Sequence, residues 1–255
     1  MTKLLDAHAH LGDAVFDPDR AAVLERAREA GVETVVLVGE TLADARRNLE
    51  LSEQFPGVLL PSAGLYPTHI DREAAEEMTA FVREHRSELI AIGEVGLDHY
   101  KVEGAEEREI QREIFAGAID LSLELDLPLN IHSRSAGRAV IELLLAKGAK
   151  RALLHAFDGR VSTAQPAVEA GYFFSVPPSI VRSRQKQKLV KRLPLTSLLL
   201  ETDSPVLGPE PGERNEPRNA LRSLRAIAEI HEAPEEAVAE AVRENARRLF
   251  GGRAP

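Results

Sequence analysis

The sequence predicts an α/β fold, a single (β/α)8 barrel spanning residues 1–255. Short β-rich runs alternate eight times with longer charged, amphipathic segments, the pattern of repeated βα units around a parallel sheet. A length of 255 residues with 44% hydrophobic content matches the usual size of one such barrel. The ends of five of the runs carry six metal-capable side chains: His8, His10, Glu94, His132, His155 and Asp203. Imidazoles and carboxylates delivered from separate strands to one rim are how a barrel enzyme builds a metal site. A doubly wound open sheet would alternate in the same way, and the placement of these six groups favours the barrel.

The first run, Lys3 to His8, continues into Ala9 and His10. Residues two apart share a face of an extended chain, so Asp6, His8 and His10 are expected to project together. Two imidazoles so placed can reach one ion at about 2.0–2.1 Å. The second and third runs are Glu33 to Val38 and Val58 to Ala63. Beyond the third, the loop Leu65-Tyr66-Pro67-Thr68-His69 puts His69 on the same rim, where it is a candidate for contact with substrate. The fourth run, Leu89 to Gly93, is followed at once by Glu94. A carboxylate directly after buried positions needs a partner, and its two oxygens allow it to bridge two metals. The fifth and sixth runs, Leu127 to His132 and Arg151 to His155, each end in histidine at the same relative place. Tyr172 to Val176 is the seventh and Ser197 to Glu201 the eighth, with Asp203 just beyond it. Beside Ser204-Pro205 an aspartate can be a turn residue; in a metal barrel it suits a carboxylate that binds the ion and takes a proton from water.

Between these runs lie helix candidates at Asp19 to Ala30, Leu42 to Gln54, Glu73 to Arg86 and Glu106 to Leu125. Asn219 to His231 and Pro234 to Phe250 close the outer ring. Gly31, Gly148 and Gly171 follow helical segments, where a left-handed cap suits glycine.

Composition narrows the chemistry. The absence of cysteine excludes disulfides, thiolate zinc sites and thiol nucleophiles, so any metal must be held by histidine and carboxylate. No apolar run approaches the ~20 residues that span a bilayer, and no basic-then-apolar leader precedes Leu4. The expectation is therefore a cytoplasmic protein without membrane association, and no stable protein partner is implied. A net charge of -9 argues against a nucleic-acid coating protein. The basic run Arg182 to Lys188, with Lys191 and Arg192, reads as a solvated helix face, with contact to a DNA backbone as the alternative.

Five stretches resemble the TatD-type metal-dependent deoxyribonucleases of the amidohydrolase superfamily. They are Asp6-Ala7-His8-Ala9-His10-Leu11, Gly93-Glu94-Val95-Gly96-Leu97-Asp98, Pro128-Leu129-Asn130-Ile131-His132-Ser133-Arg134, His155-Ala156-Phe157-Asp158-Gly159 and Glu201-Thr202-Asp203-Ser204-Pro205. Arg214-Asn215-Glu216-Pro217 also looks like the family's stretch after the last strand. The resemblance covers nearly the whole chain and implies a (β/α)8 barrel that hydrolyses DNA, commonly from an end, with two divalent metal ions. It places His8, His10 and Asp203 around one ion and His132 with His155 around the second, with Glu94 touching both. Asp203 is the expected general base, and Arg134 is placed to meet a nonbridging phosphate oxygen with its planar fork. Imidazole-rich ligation suits zinc, manganese, iron or nickel, whereas magnesium prefers oxygen; the family is often assayed with magnesium or manganese. Gly12, Tyr66 and Arg138 depart from the family pattern without touching an expected ligand, which bears on substrate range.

Two other functions share these features. A small-molecule amide, lactone or phosphoester hydrolase of the same superfamily would use the same barrel. Many of those bridge their metals with a carbamylated lysine on the fourth strand, where this chain has Glu94 and no lysine until Lys101. A non-catalytic metal-binding protein would need four ligands rather than six.

Overall fold

The structure, a computed structural model, describes residues 3–253. Its eight strands are β1 (Leu4–Ala9), β2 (Val32–Leu37), β3 (Leu59–Ala63), β4 (Ala91–Gly96), β5 (Leu129–His132), β6 (Ala152–Leu154), β7 (Phe173–Val176) and β8 (Leu198–Leu200). They pair in chain order, every pair parallel. The seam between the last strand and the first is drawn together beyond β8, where Asp203 N–H donates to His8 O at 2.9 Å and His10 N–H to Ser204 O at 2.8 Å. The expected (β/α)8 barrel is what forms.

Nine α-helices are found among the described residues: α1 (Arg20–Glu29), α2 (Leu42–Gln54), α3 (Arg72–Glu84), α4 (Ala105–Leu125), α5 (Gly137–Lys147), α6 (Val161–Glu169), α7 (Arg184–Val190), α8 (Ala220–His231) and α9 (Glu235–Phe250). Local chemistry starts and stops them. Thr41 and Asp44 form a reciprocal capping box at the head of α2, and the Asp71 carboxylate accepts from Glu73 N–H and Ala74 N–H at the head of α3. The three glycines expected to end helices, Gly31, Gly148 and Gly171, all have positive φ. None of the helices is long and apolar enough to cross a membrane.

Two apolar clusters hold the barrel. The larger lies between strands and helices, with residues such as Leu37, Ile92, Ile131 and Leu200 against Val23, Phe115, Val140 and Ile227. The smaller joins Leu5, Val36, Ile90, Leu153, Phe173 and Leu199 from around the ring with Leu249 and Phe250 of α9. Side chains from distant strands meet there only by filling the interior. α9 thus plugs the end where the strands begin and leaves the opposite, C-terminal end for polar groups.

Strand boundaries depart from expectation most at β4, which runs Ala91–Gly96 rather than Leu89 to Gly93, so Glu94 lies within the strand. Three glycines surround that stretch, and a Cβ at Gly64 would stand 2.8 Å from Glu94 O. Such close approach lets the chain stay extended past Gly93.

Candidate metal centre

β1, β4, β5, β6 and the segment after β8 carry six polar side chains to one end of the barrel. β1 has a register shift between Asp6 and Ala9, so its alternation is not strict. His8 and His10 still come together, ring centres 5.3 Å apart. The Asp6 carboxylate does not join them: it accepts from Thr202 N–H at 2.9 Å and from the Thr202 hydroxyl. Burial holds Asp6 well above the usual carboxylate range despite those bonds.

Glu94 stands at the centre, and its two oxygens face different neighbours. Oε2 lies 3.6 Å from His8 Nε2 and 3.4 Å from His10 Nε2. Asp203 Oδ1 lies 3.5 Å from each of the same two nitrogens. Oε1 lies 2.8 Å from His132 Nδ1 and 2.9 Å from His155 Nε2. The backbone at this rim is held in sparsely populated conformations: Asp203, Ala156 and Ser135 all have positive φ, each at or directly after a residue of the cluster or Arg134. The Gly93–Glu94 and Ser204–Pro205 peptides are cis.

The donors fit a divalent cation. His8 Nε2 and Glu94 Oε2 are buried with no hydrogen-bond partner, a condition that ordinarily costs about 1–3 kcal/mol for each group. Four ligands at about 2.1 Å around one tetrahedral ion would stand about 3.4 Å apart. The four nitrogen–oxygen separations in the first group run from 3.4 to 3.6 Å. Protonation follows the same field. Burial pushes the Glu94 carboxyl up, but the imidazoles of His155, His8, His10 and His132 outweigh it and hold the group well below the usual range. Burial would discharge His10, yet the adjacent carboxylates of Asp203 and Glu94 raise it to about 10. For Asp203, too, the histidines His10 and His8 overcome burial and lower the carboxyl.

Three residues not singled out by the sequence reading stand behind the histidines, two of them within hydrogen-bond distance. Asp98 Oδ2 lies 3.0 Å from His132 Nε2, and Asn130 Oδ1 lies 2.8 Å from His8 Nδ1. Glu201, which accepts a hydrogen bond from Ser175, lies 3.7 Å from His155 Nδ1. The signal in the sequence was there, since Asp98 and Glu201 are end residues of two of the quoted stretches and Asn130 is two residues before His132. Which ring each faces depends on barrel closure.

A cleft of about 580 Å3 opens over the cluster, lined by His10, Glu94, His132, His155 and Asp203 together with Tyr66, Lys101, Arg134 and Lys186. Arg134 has no carboxylate partner among the described residues; its guanidinium lies 3.9 Å from the centre of the Tyr100 ring, which is 62% exposed. His69 lies away from these residues. The turn Tyr66-His69 closes on itself through His69 N–H to Tyr66 O at 2.9 Å, and the side chain lines a separate small recess with Pro67 and Gln111. The structure does not bring it to the cleft. Lys186 reverses the expected solvated face at one position, because its amine turns into the cleft and donates to Ala156 O at 3.0 Å. Burial lowers the Lys186 pKa, with Glu201, Asp158 and Asp203 opposing.

Residues 5–251 match the family model described as TatD related DNase. The chain belongs to that family. TatD relatives similar to it include the human deoxyribonuclease TATDN3, 46% identical, with 97% of this chain and 94% of that protein covered. The metal-dependent hydrolase YabD of Bacillus subtilis is 33% identical over 97% of this chain and 98% of that protein. Among solved structures, the TatD homologue YJJV of Escherichia coli superposes with a TM-score of 0.89 at 28% identity, covering 98% of both chains.

Proposed function

We propose that the protein is a divalent-metal-dependent deoxyribonuclease that hydrolyses phosphodiester bonds near DNA ends. The observation that carries this reading is Glu94, one carboxylate facing two separate sets of donors, as a bridge between two ions requires. His8, His10, Asp203 and Glu94 Oε2 would hold one ion; His132, His155 and Glu94 Oε1 the other. Two bound divalent ions would supply a nucleophile from water at neutral pH and neutralise charge on the phosphoryl oxygens, with the Mg, Mn or Zn identity set by assay.

The chain's own groups do the rest. Asp203, strongly biased to its ionised form and facing the cleft, takes the proton as general base. Glu94 keeps its negative charge inside the barrel because four imidazoles surround it. Arg134 and Lys101 present cations at the cleft wall, where nonbridging phosphate oxygens would lie. Relatives support the substrate class: one at 46% identity is named deoxyribonuclease TATDN3, and another, from Erwinia tasmaniensis, is named 3'-5' ssDNA/RNA exonuclease TatD at 32%.

The test is hydrolysis of end-labelled single-stranded DNA by wild type and Glu94→Ala, each with magnesium, manganese and zinc, resolved to single nucleotides. The expected result is a metal-dependent ladder lost in the variant. Intact, metal-loaded wild type that leaves DNA whole would turn the assignment to a small-molecule hydrolase.

A further inference from the structure

Helix α7 shows its two sides to different places. Lys186 enters the cleft, while Arg184, Lys188 and, beyond the helix end, Lys191 line a groove of about 730 Å3 whose other wall carries Arg222 and Arg225 of α8. The helical repeat explains the division, since positions four and seven after 184 share its face and position 186 lies opposite. Among the described residues, Arg184, Lys188, Lys191 and Arg222 have no carboxylate partner, and Arg225 has Glu235 at 3.5 Å. Two carboxylates, Glu229 and Glu232, line the groove as well. In a chain with 41 acidic and 32 basic residues, this is a local reversal of sign.

The borders of cleft and groove meet at one contact. Arg182 donates to Gly208 O at 3.3–3.4 Å, and Gly208 follows Leu207, which lines the cleft, while Val181 beside Arg182 lines the groove. Cations spaced about 4.5–6 Å along a helix suit a repeating polyanion better than one small anion. The groove's apolar lining is Val181, Ala226 and Ile230, with no aromatic ring for stacking, so contact would be to phosphates rather than bases.

We propose that α7 guides the polynucleotide strand beyond the reacting phosphate: the strand leaves the cleft past Lys186, crosses the Arg182 rim and lies between α7 and α8, held by its backbone without sequence reading. The proposal rests on the nuclease reading above, and the two are separable by experiment. Binding is read on metal-loaded enzyme by anisotropy of a fluorescein-labelled phosphorothioate dT20 across a salt series, and turnover by hydrolysis of unmodified dT3, too short to reach the groove. The triple variant Arg184→Glu, Lys188→Glu, Lys191→Glu is expected to bind dT20 more weakly and to flatten the log–log salt slope by about two, from roughly 0.7 per lost phosphate contact. Its dT3 turnover should match wild type, which reports an intact fold. If the reversal disturbs folding, the Arg184→Gln, Lys188→Gln, Lys191→Gln triple is expected to flatten the slope in the same direction. Unchanged dT20 affinity and slope in a folded variant would overturn the track. Wild type that binds dT20 through these cations but hydrolyses neither dT3 nor unmodified dT20 would overturn the nuclease reading and leave the track.

Discussion

Asp98 meets His132 on the side of the ring away from Glu94: its Oδ2 lies 3.0 Å from Nε2, while Nδ1 faces Glu94. A carboxylate accepts only, so it fixes the hydrogen on Nε2 and leaves the Nδ1 lone pair for a cation.

Asp98→Asn tests this relation. The Oδ1 oxygen that accepts from Tyr100 N–H at 2.9 Å and Lys101 N–H at 2.8 Å has an equivalent in asparagine, so the turn is kept. The amide presents a donor to Nε2 and favours the tautomer that blocks Nδ1. Metal affinity, measured by competition with a chromogenic chelator, should fall about 10–100-fold. Wild-type affinity would show that Asp98 does not set the ring.

Gly96→Ala should damage the same region through packing. Gly96 has φ +143, and a Cβ there would stand 2.0 Å from His132 O, the carbonyl of the paired strand. The strands must separate, at a cost of about 1–3 kcal/mol or more. Urea unfolding should show the loss, and metal content should fall with it, because His132 moves with its carbonyl. A variant with wild-type stability would contradict the contact.

Acid should loosen the join between the segment after β8 and α1. Arg214 donates to both oxygens of Asp19, at 2.8 and 2.7 Å, and this pairing, aided by Arg26, lowers Asp19 to about 2. A folded-state pKa below the unfolded value of about 3.9 contributes stability that is present above pH ~4 and lost as pH falls through about 2. Glu216, lowered chiefly by Arg26 and also by Arg214, acts with the same sign. The Tm difference between wild type and Arg214→Gln should be full near pH 6 and shrink towards pH 2. A gap that stays constant to pH 2 would mean that Arg214 acts by packing on Phe16 rather than by charge.

Much of the architecture was legible in the sequence because βα rhythm is local: hydrophobic period, caps and terminal glycines are set within one segment. The gathering of His8, His10, Glu94, His132, His155 and Asp203 was also expected, since strand ends of a parallel barrel share one rim. The rest depends on distance in three dimensions. Glu94 falls inside β4 because Gly93 and Gly96 in that strand and Gly64 after β3 let the backbones pass closely, and no single run shows what they approach. His69 turns aside through a bond within its own loop, and Lys186 turns inward to a carbonyl thirty positions away in sequence. Asn130 reaches His8 across the barrel, a contact with no trace in either strand alone.

The unpaired cations beside α7 have a consequence for events before contact. On a molecule of net charge -9, the groove between α7 and α8 would be a local patch of attraction for a polyanion. Over separations of about 8–10 Å, the Debye length near physiological salt, that unevenness turns an approaching strand before any surface is touched. Added salt would then erase the preferred orientation of encounter while leaving the donors inside the barrel as they are.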